Sequence, residues 1–204
     1  MMKEIFKIRK KPSQKRSQIL VKSILEATEN LTNTLPISNI TTAQIARIAG
    51  ISVGSLYQYF PNKQAIIVAL VEKYTQDSLN QIKQRLDQDK PEKVEDIIEN
   101  LVNFCVEYQL SRQNLFRFLF YFHHQLGCID HIRIARQRAV EFIYDYAVEN
   151  NIGSEIPNLR QTIYMSVIAV AGVMDYVTVF DDGGMSIEQI KHETELLIRR
   201  YYTH

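Results

Sequence analysis

The chain has 204 residues with only seven glycines and five prolines, which leaves room for long helices in one or two domains. Its net charge of +1 is unevenly distributed: residues 1–75 hold eleven Lys and Arg against four Glu, a balance of +7, and the remainder carries −6. No apolar run follows the basic N-terminus, so we expect no secretory signal and a cytoplasmic protein.

The basic charge is densest at the N-terminus, where we predict a flexible arm over residues 1–12. The basic residues of the arm and of the start of the first helix are Lys3, Lys7, Arg9, Lys10, Lys11, Lys15 and Arg16. Such an arm could follow phosphates or enter a minor groove of DNA, or it could be a solubilising tail. The sequence leaves both interpretations open.

Helical periodicity follows the arm. We predict a first helix from about Ser13 to Leu31, ahead of Pro36. Its apolar face consists of Leu20, Ile24, Ala27 and Leu31. No strand pattern competes with the helical one anywhere in the chain, so the sequence predicts an all-α protein.

Residues 41–63, TTAQIARIAGISVGSLYQYFPNK, have the layout of a helix-turn-helix. Thr41 and Thr42 are N-cap residues for a helix of about two turns, which Gly50 can end in the left-handed conformation. Ser52 caps a second helix from Val53 to about Phe60. The sequence therefore predicts two short helices that cross at a tight turn.

The second of these helices has an outward surface without charge. Leu56 and Phe60 point inward, and the outward residues are Val53, Gly54, Ser55, Gln58 and Tyr59. Short polar and apolar side chains suit the major groove of DNA, where they meet base edges and thymine methyl groups. This pattern predicts that the protein binds DNA.

Pro61 ends the second helix, and Asn62 caps a further helix that we predict from Lys63 to about Leu86. The macrodipole at a first helical turn favours anions by roughly 0.3–1 kcal/mol, so a lysine there suggests a nearby phosphate. The alternative is a solvated surface lysine.

The run resembles the DNA-binding domain of the TetR (tetracycline-repressor) family of bacterial transcription regulators. The family pattern is a threonine-led helix, Ala-Gly-(Val/Ile)-Ser, two variable residues, and Leu-Tyr-x-(Tyr/His)-Phe-x-x-Lys. The residues that match in register are Ala49, Gly50, Ile51, Ser52, Leu56, Tyr57, Tyr59, Phe60 and Lys63. The resemblance implies an N-terminal three-helix DNA-binding domain followed by a helical effector-binding and dimerisation domain.

The resemblance also implies roles for single residues. Phosphate contacts fall on Thr42, Tyr57, Tyr59 and Lys63, although tyrosines at helical spacing also occur in cores. Ala43 stands where the founding member has a base-reading basic residue, so the operator cannot be copied across. The predicted DNA-binding residues are Thr42, Ser52, Val53, Gly54, Ser55, Tyr57, Gln58, Tyr59 and Lys63.

The same segment contains a competing motif. Residues 50–54, GISVG, satisfy the nucleophile-elbow pattern G-x-S-x-G, which would make Ser52 the nucleophile of a hydrolase. That motif needs a strand before the serine, whereas Ser52 follows a predicted helix. Capping of the next helix explains the residue without chemistry, and we expect no enzymatic activity.

Helical patterns continue to the C-terminus. A fifth stripe contains Val94, Ile97, Leu101, Cys105 and Tyr108, and a sixth helix runs from Asn114 to Leu126. Gly127 ends the sixth helix, Asp130 caps a seventh, and the residues that close the seventh are Asn150, Asn151 and Gly153. With the last two the protein has about nine helices. The predicted organisation is a basic arm, 1–12, a helix-turn-helix domain, 13–62, a connecting helix, 63–90, and an effector-binding and dimerisation domain, 91–204.

The last two helices show heptad-like apolar seams, joined by residues 181–184, DDGG. Such a pair can form a four-helix bundle with a second copy, or both seams can pack inside one subunit. The resemblance implies the homodimer. The predicted interface residues are Ile163, Val167, Val170, Met174, Val177, Ile187, Ile190, Leu197 and Tyr201.

Residues 116–124, FRFLFYFHH, hold more aromatics than one core-facing stripe needs. We predict that aromatic residues line a cavity for a small apolar or aromatic effector, with a plain core as the alternative. The predicted pocket residues are Phe104, Tyr108, Phe116, Phe120, His123, Phe142, Tyr146, Tyr164, Asp175 and Tyr176.

The sequence gives little indication of a metal site or a disulfide. His123, His124 and His131 lack H-x-x-x-H spacing, and Cys105 and Cys128 lie apart from any C-x-x-C or histidine spacing. We therefore expect no metal or other cofactor, and cysteines that act as small buried hydrophobes.

Asp175 is unusual because it lies within an apolar helix. It is interpreted first as an exposed gap in the stripe and second as a buried partner for a ligand or basic side chain. If Ile163–Phe180 crossed a membrane, this carboxylate would lie in lipid. At the centre of the bilayer it would cost about 2.5–3.5 kcal/mol, which argues against a membrane span.

The patterns and the resemblance together imply a ligand-responsive homodimeric transcriptional regulator, a repressor that leaves a palindromic operator when an effector binds. The alternative is a helical protein-interaction module that keeps the fold without binding DNA. The interaction module predicts that Tyr57→Phe and Lys63→Ala leave its activity intact, whereas the DNA-binding regulator predicts that they change it.

Overall fold

A computed structural model of the chain describes residues 15–126, 129–180 and 183–202. Over these ranges the regular structure is helical, with no strand, which confirms the predicted all-α class. The helices are α1 (Lys15–Thr34), α2 (Thr42–Ile48), α3 (Val53–Tyr59), α4 (Lys63–Asp89), α5 (Val94–Leu110), α6 (Gln113–Leu126), α7 (Ile129–Glu149), α8 (Leu159–Val179) and α9 (Ile187–Tyr202), with a 3-10 turn at Ile37–Asn39.

Some predictions fall on residues outside these ranges. They are the basic arm at 1–12, the start of the first helix at Ser13, Gly127, Cys128 and the Asp181-Asp182 pair. The side chain of His124 is likewise outside the described part. Within the described part, α1 extends to Thr34 and α4 to Asp89, each three residues beyond its predicted end.

The chain divides into two compact units. The first contains Met1–Thr75 and Arg112–His131, and the second contains Gln76–Ser111 and Ile132–His204. The contacts therefore group α6 with the N-terminal helices. The division of the chain into an arm, two domains and a connecting helix stays a prediction.

The first unit has one apolar core. Ile24 of α1, Ile45 of α2, Leu56 of α3 and Ile66 of α4 have no exposed surface, because each helix turns its apolar face inward. From α6, Leu115 is also buried, and α6 contacts both α1 and the 3-10 turn. The first turn of α4 and the helix-turn-helix are thus parts of one packed body.

The second unit is built around α5, which contacts both α8 and α9. Val102 of α5 and Val170 and Met174 of α8 are almost completely buried. Of the described helices, α8 alone is long and apolar enough to cross a membrane by length and composition. One side of α8 instead packs within the unit, as the core helix of a folded domain does.

Candidate nucleic-acid interface

The helix-turn-helix begins with a reciprocal cap on α2. The hydroxyl oxygen of Thr41 accepts a hydrogen bond from the backbone N–H of Gln44 at 3.2 Å, and Gln44 Oε1 accepts one from the N–H of Thr41 at 2.8 Å. This capping box satisfies two amide donors that the start of a helix leaves without partners. The predicted capping role of Thr41 is confirmed, and α2 starts at Thr42.

The turn between α2 and α3 depends on a glycine. Gly50 has φ of 67°, and the N–H of Ile51 donates to the carbonyl of Ala46 at 3.0 Å. A side chain would be strained in this left-handed conformation, so glycine suits the position. The turn closes α2 and leads directly into the cap of α3.

Ser52 is the N-cap of α3. Its Oγ accepts a hydrogen bond from the N–H of Ser55 at 3.0 Å and lies 2.8 Å from the Ser55 hydroxyl. Helix α2 and a turn precede this serine. The position lacks the strand-to-helix turn of a nucleophile elbow, and the side chain has a structural role.

The outward surface of α3 carries the predicted base-reading residues. Val53 is 39% exposed, Gly54 and Gln58 are exposed, and Ser55 is half-buried. Leu56, on the opposite side, has no exposed surface. The helix therefore presents a narrow, uncharged strip of short side chains.

Two of the predicted phosphate contacts lie together. The hydroxyl of Thr42, at the start of α2, is 3.1 Å from the hydroxyl of Tyr57 in α3, whose side chain is 39% exposed. Their hydrogen bond joins the two helices at the surface. The arrangement places two hydroxyl groups beside the exposed strip of α3.

Tyr59 differs from its predicted position on the outward surface, and that prediction is wrong. The residue is only 9% exposed. It follows Leu56 by three positions, so both lie on the packed face of the helix. The ring of Tyr59 contributes to the core of the first unit.

Lys63 differs from the second alternative that the sequence suggested, a solvated surface lysine. Its Nζ donates to the backbone carbonyls of Ile37 and Ile40, both at 2.8 Å, and to that of Ser38 at 3.4 Å. Partial burial lowers the pKa of the ammonium group from its usual value. The side chain is a partner of the segment before α2 and is not a solvated surface lysine.

The predicted cap of α4 is confirmed. Asn62 Oδ1 accepts a hydrogen bond from the N–H of Ala65 at 2.8 Å. This cap fixes the first turn of α4 and thereby the starting point of the Lys63 side chain.

The predicted pocket residues are divided between the units. Phe116, Phe120 and His123 lie in the first unit, and the other seven lie in the second. Within the second unit Phe104 and Tyr108 are buried, whereas Tyr164 and Tyr176 are 50% and 60% exposed. The expectation that the last two tyrosines line a cavity is wrong, because they lie on the surface of the subunit.

A small cavity of about 10 Å³ does occur inside the second unit. Among the predicted pocket residues only Phe104 lines it; the others that line it are Ile82, Arg85, Leu86, Ile97, Asn100, Leu101 and Ile143. Sequence patterns did not single out Arg85 and Asn100, because polar residues of amphipathic helices usually face solvent.

Asp175 is a half-buried residue of an ion pair and not an exposed gap. Its carboxylate accepts hydrogen bonds from Arg136 Nη2 at 2.6 Å and from Gln109 Nε2 at 2.8 Å. Gln109 is 8% exposed and in turn accepts from the Thr178 hydroxyl at 3.4 Å. The second of the two interpretations of Asp175, a partner for a basic side chain, is therefore the one observed.

The predicted dimer seams lie largely inside the subunit. Ile163, Val167, Val170, Met174 and Ile190 are all no more than 6% exposed. The expectation that these five face a second copy is wrong, because a heptad stripe shows that a face is buried but not which helix covers it. From the same prediction Val177 is half-buried, and the residues that are at least 50% exposed are Ile187, Leu197 and Tyr201.

A different surface of α8 is apolar and exposed. Met165, Gly172 and Tyr176 follow one another by seven and four positions, which places them on one stripe of the helix. Met165 and Tyr176 are 49% and 60% exposed, and a Cβ atom added at Gly172 would meet nothing within 4 Å. We call these three residues the outer stripe of α8.

Two of the predicted histidines, His123 and His131, have ordinary partners. His123 Nδ1 lies 2.8 Å from the carbonyl of Phe120, and His131 Nε2 lies 3.3 Å from Glu72. Among the residues that the structure describes, no three His, Cys, Asp or Glu side chains are grouped as ligands for a metal ion.

Part of the chain matches the profile of a known protein family, and most of the chain shares its fold with solved structures. Residues 24–70, from the middle of α1 to the start of α4, match the profile of "Bacterial regulatory proteins, tetR family". A search of the curated proteins finds no match.

Several solved structures share the fold over most of the chain. A TetR transcriptional regulator from Rhodococcus sp. RHA1 is 18% identical, with a TM-score of 0.62 over 94% of this chain and 99% of that one. A tetR-family regulator from Streptomyces coelicolor is 14% identical, with a TM-score of 0.66 over 89% and 80%. Thermus thermophilus FadR, a TetR-family repressor crystallised with lauroyl-CoA, is 15% identical, with a TM-score of 0.60 over 88% and 93%.

Proposed function

We propose that the chain is a cytoplasmic repressor of the TetR family, whose profile residues 24–70 match, and that it leaves a palindromic operator when a small apolar or aromatic effector binds. Regulators of this family bind DNA, act as dimers and bind small molecules. The observation that carries the proposal is the uncharged strip of α3, flanked by the hydroxyl pair of Thr42 and Tyr57.

The geometry favours phosphate contacts from some residues of the helix-turn-helix and base contacts from others. The hydroxyls of Thr42 and Tyr57 are suited to a backbone phosphate, because both are polar, outward and beside α3. Val53, Gly54 and Gln58 would then read base edges and thymine methyl groups. Since α3 carries no arginine, sequence preference would rest on few contacts and on DNA shape.

Dimerisation is proposed through the outer stripe of α8 and the exposed apolar residues of α9. Met165 and Tyr176 supply apolar surface, and Gly172 between them would let a second copy approach the helix backbone closely. A twofold dimer would present two α3 helices to half-sites about one helical turn, ~34–36 Å, apart.

The effector is proposed to enter the second unit near Phe104. A cavity of about 10 Å³ is too small for any metabolite, so binding would have to move the surrounding helices apart. Such a movement can oppose DNA binding through a coupling of ~1–3 kcal/mol. Lauroyl-CoA, bound by the Thermus protein, has an apolar acyl chain and is one probe for the test.

The proposal is tested by selecting bound sequences from a random duplex library and measuring their affinity by fluorescence anisotropy at several salt concentrations. We expect an enriched palindrome, a dissociation constant in the nanomolar range and an affinity that falls steeply with salt. The protein-interaction alternative predicts that no sequence is enriched. Equal affinity for all duplexes would contradict a sequence-specific regulator.

Gln58→Ala tests which surface reads the bases. We expect the preference for the selected palindrome over random DNA to fall by about 1–3 kcal/mol while non-specific affinity is retained. Gln64→Ala, at an exposed position in the first turn of α4, is the matched control and should keep the full preference.

A further inference from the structure

Lys63 connects two segments that are far apart in sequence. Its ammonium group, on the first turn of α4, meets the carbonyls of Ile37, Ser38 and Ile40, which belong to the 3-10 turn and the residue after it. An ammonium group has three N–H donors, and the three carbonyl oxygens provide three acceptors. We call this arrangement the carbonyl cage.

The carbonyl cage also accounts for a lysine at the start of a helix. The partial positive charge of the α4 N-terminus disfavours a cation, but the side chain extends toward carbonyl oxygens, which carry partial negative charge. Those carbonyls are half-enclosed, so losing the lysine would leave acceptors without a charged partner. A phosphate is not required to explain the residue.

The segment held by Lys63 leads straight into the DNA-facing helices. Ile40 has 1% exposed surface and immediately precedes Thr41, which caps α2. The next residue, Thr42, forms the hydrogen bond to Tyr57. Movement of the Ile40 carbonyl would therefore displace the cap and the hydroxyl pair together.

We propose that Lys63 is a positioning residue, which fixes the entry of the chain into α2 through the carbonyl cage and makes no contact with a DNA phosphate. This inference rests on the proposed function for its effect on DNA affinity. Its effect on folding does not depend on DNA. For a phosphate contact, Lys63 would have to give up at least one of the three carbonyls.

Lys63→Met and Lys63→Arg distinguish a positioning role of Lys63 from a contact with a DNA phosphate. Both should lower the thermal midpoint by about 5 °C, because methionine has no donor and the planar guanidinium cannot occupy a cage built for three N–H groups. Operator affinity should fall about tenfold in both, with the slope of log affinity against log salt unchanged, since no phosphate contact is lost.

A phosphate contact predicts the opposite pattern. Lys63→Met would then keep the midpoint and reduce the magnitude of the salt slope by about 0.9. Lys63→Arg would bind DNA as tightly as the original protein, since arginine is a good phosphate ligand. Either result overturns the proposal.

Lys22→Met is the control for loss of one positive charge. Lys22 is an exposed lysine of α1, paired with Glu26 at 3.5 Å, and lies in the same unit. Its replacement should leave the midpoint and the operator affinity close to those of the original protein.

A measurement without substitution covers the case in which the Lys63 variants do not fold. The ¹⁵N signal of the Lys63 ammonium group, assigned through its side chain, should show slow hydrogen exchange in the free protein and no coupling to ³¹P in the DNA complex. Fast exchange, or a ³¹P coupling, overturns the proposal. If the protein binds no DNA, the proposed function fails. The positioning role of Lys63 is then judged by stability alone, and unchanged thermal midpoints in the Lys63 variants would refute it.

Discussion

The hydroxyl groups of Thr42 and Tyr57 lie 3.1 Å apart although 15 positions separate them in the chain. Thr42 is the first residue of α2 and Tyr57 is in the middle of α3. The hydrogen bond between them couples the two helices of the helix-turn-helix at their outer surface. A change at either residue should therefore affect the same point of contact with DNA.

Tyr57→Phe should weaken operator binding about tenfold, because one hydroxyl hydrogen bond is worth ~1 kcal/mol or slightly more. Thr42→Val should have a similar effect, and the double variant should lose less than the sum of the two. Anisotropy with the selected operator measures all three. Tyr121→Phe removes the hydroxyl of a tyrosine that is 60% exposed on α6, and it should bind normally. Additive losses would show that the two hydroxyls act at separate places.

Gly172→Arg should prevent dimerisation without unfolding the subunit. A Cβ atom added at Gly172 meets nothing within 4 Å in its own subunit, and an arginine side chain extending from it would project into the proposed interface. We expect a monomer by sedimentation, an unchanged helical circular dichroism spectrum and a loss of at least a hundredfold in operator affinity, since a monomer contacts one half-site. Val148→Arg, at a 52% exposed apolar residue of α7, is the control and should remain a dimer. A dimeric Gly172→Arg protein would place the interface elsewhere.

Asp175 and Arg136 should be coupled in stability. Their side chains are 29% and 31% exposed, so the pair lies between an open surface pair and a buried one. A double-variant cycle with Asp175→Asn and Arg136→Gln should give a coupling of about 1–2 kcal/mol in the free energy of unfolding. The exposed pair of Lys22 and Glu26 should give less than about 0.5 kcal/mol in the same cycle. Equal couplings would contradict the partly buried setting of Asp175.

Cys105 should resist alkylation in the folded protein. Burial raises the pKa of its thiol from 9.0 to about 12, and the nearby charge of Arg136 opposes this shift by a smaller amount. Iodoacetamide attacks the thiolate, so at pH 8.5 the native protein, with Cys128→Ser to leave one cysteine, should react on the order of a hundredfold slower than free cysteine. The same variant in urea is the control and should react quickly. Rapid labelling of the native protein would contradict the enclosed thiol.

The raised pKa of Cys105 also gives a pH dependence of stability. Because the unfolded thiol loses its proton at lower pH than the folded one, the stabilising contribution is complete below pH 9.0 and is lost as the pH rises toward about 12. Cys105→Ala should therefore lessen the fall in the free energy of unfolding over this range. An unchanged profile would show that another group causes the fall.

Local patterns predicted much of the candidate interface. The caps at Thr41, Ser52 and Asn62 and the turn at Gly50 depend on atoms within a few residues, and all four occur as expected. Helix ends were predicted to within about three residues for the same reason. Tyr59 was misplaced because helical spacing left it among the outward residues of α3, whereas its burial depends on how α3 packs.

The sequence by itself determined that the chain is helical, where its helices begin, and that residues 41–63 form a helix-turn-helix, because these features follow from interactions between neighbours in the chain. The tertiary structure alone decided that Lys63 binds the carbonyls of Ile37 and Ile40, that Arg136 pairs with Asp175, and that the seam of α8 faces inward. Each of these depends on which helix lies opposite, and a periodic pattern shows that a face is covered without showing what covers it.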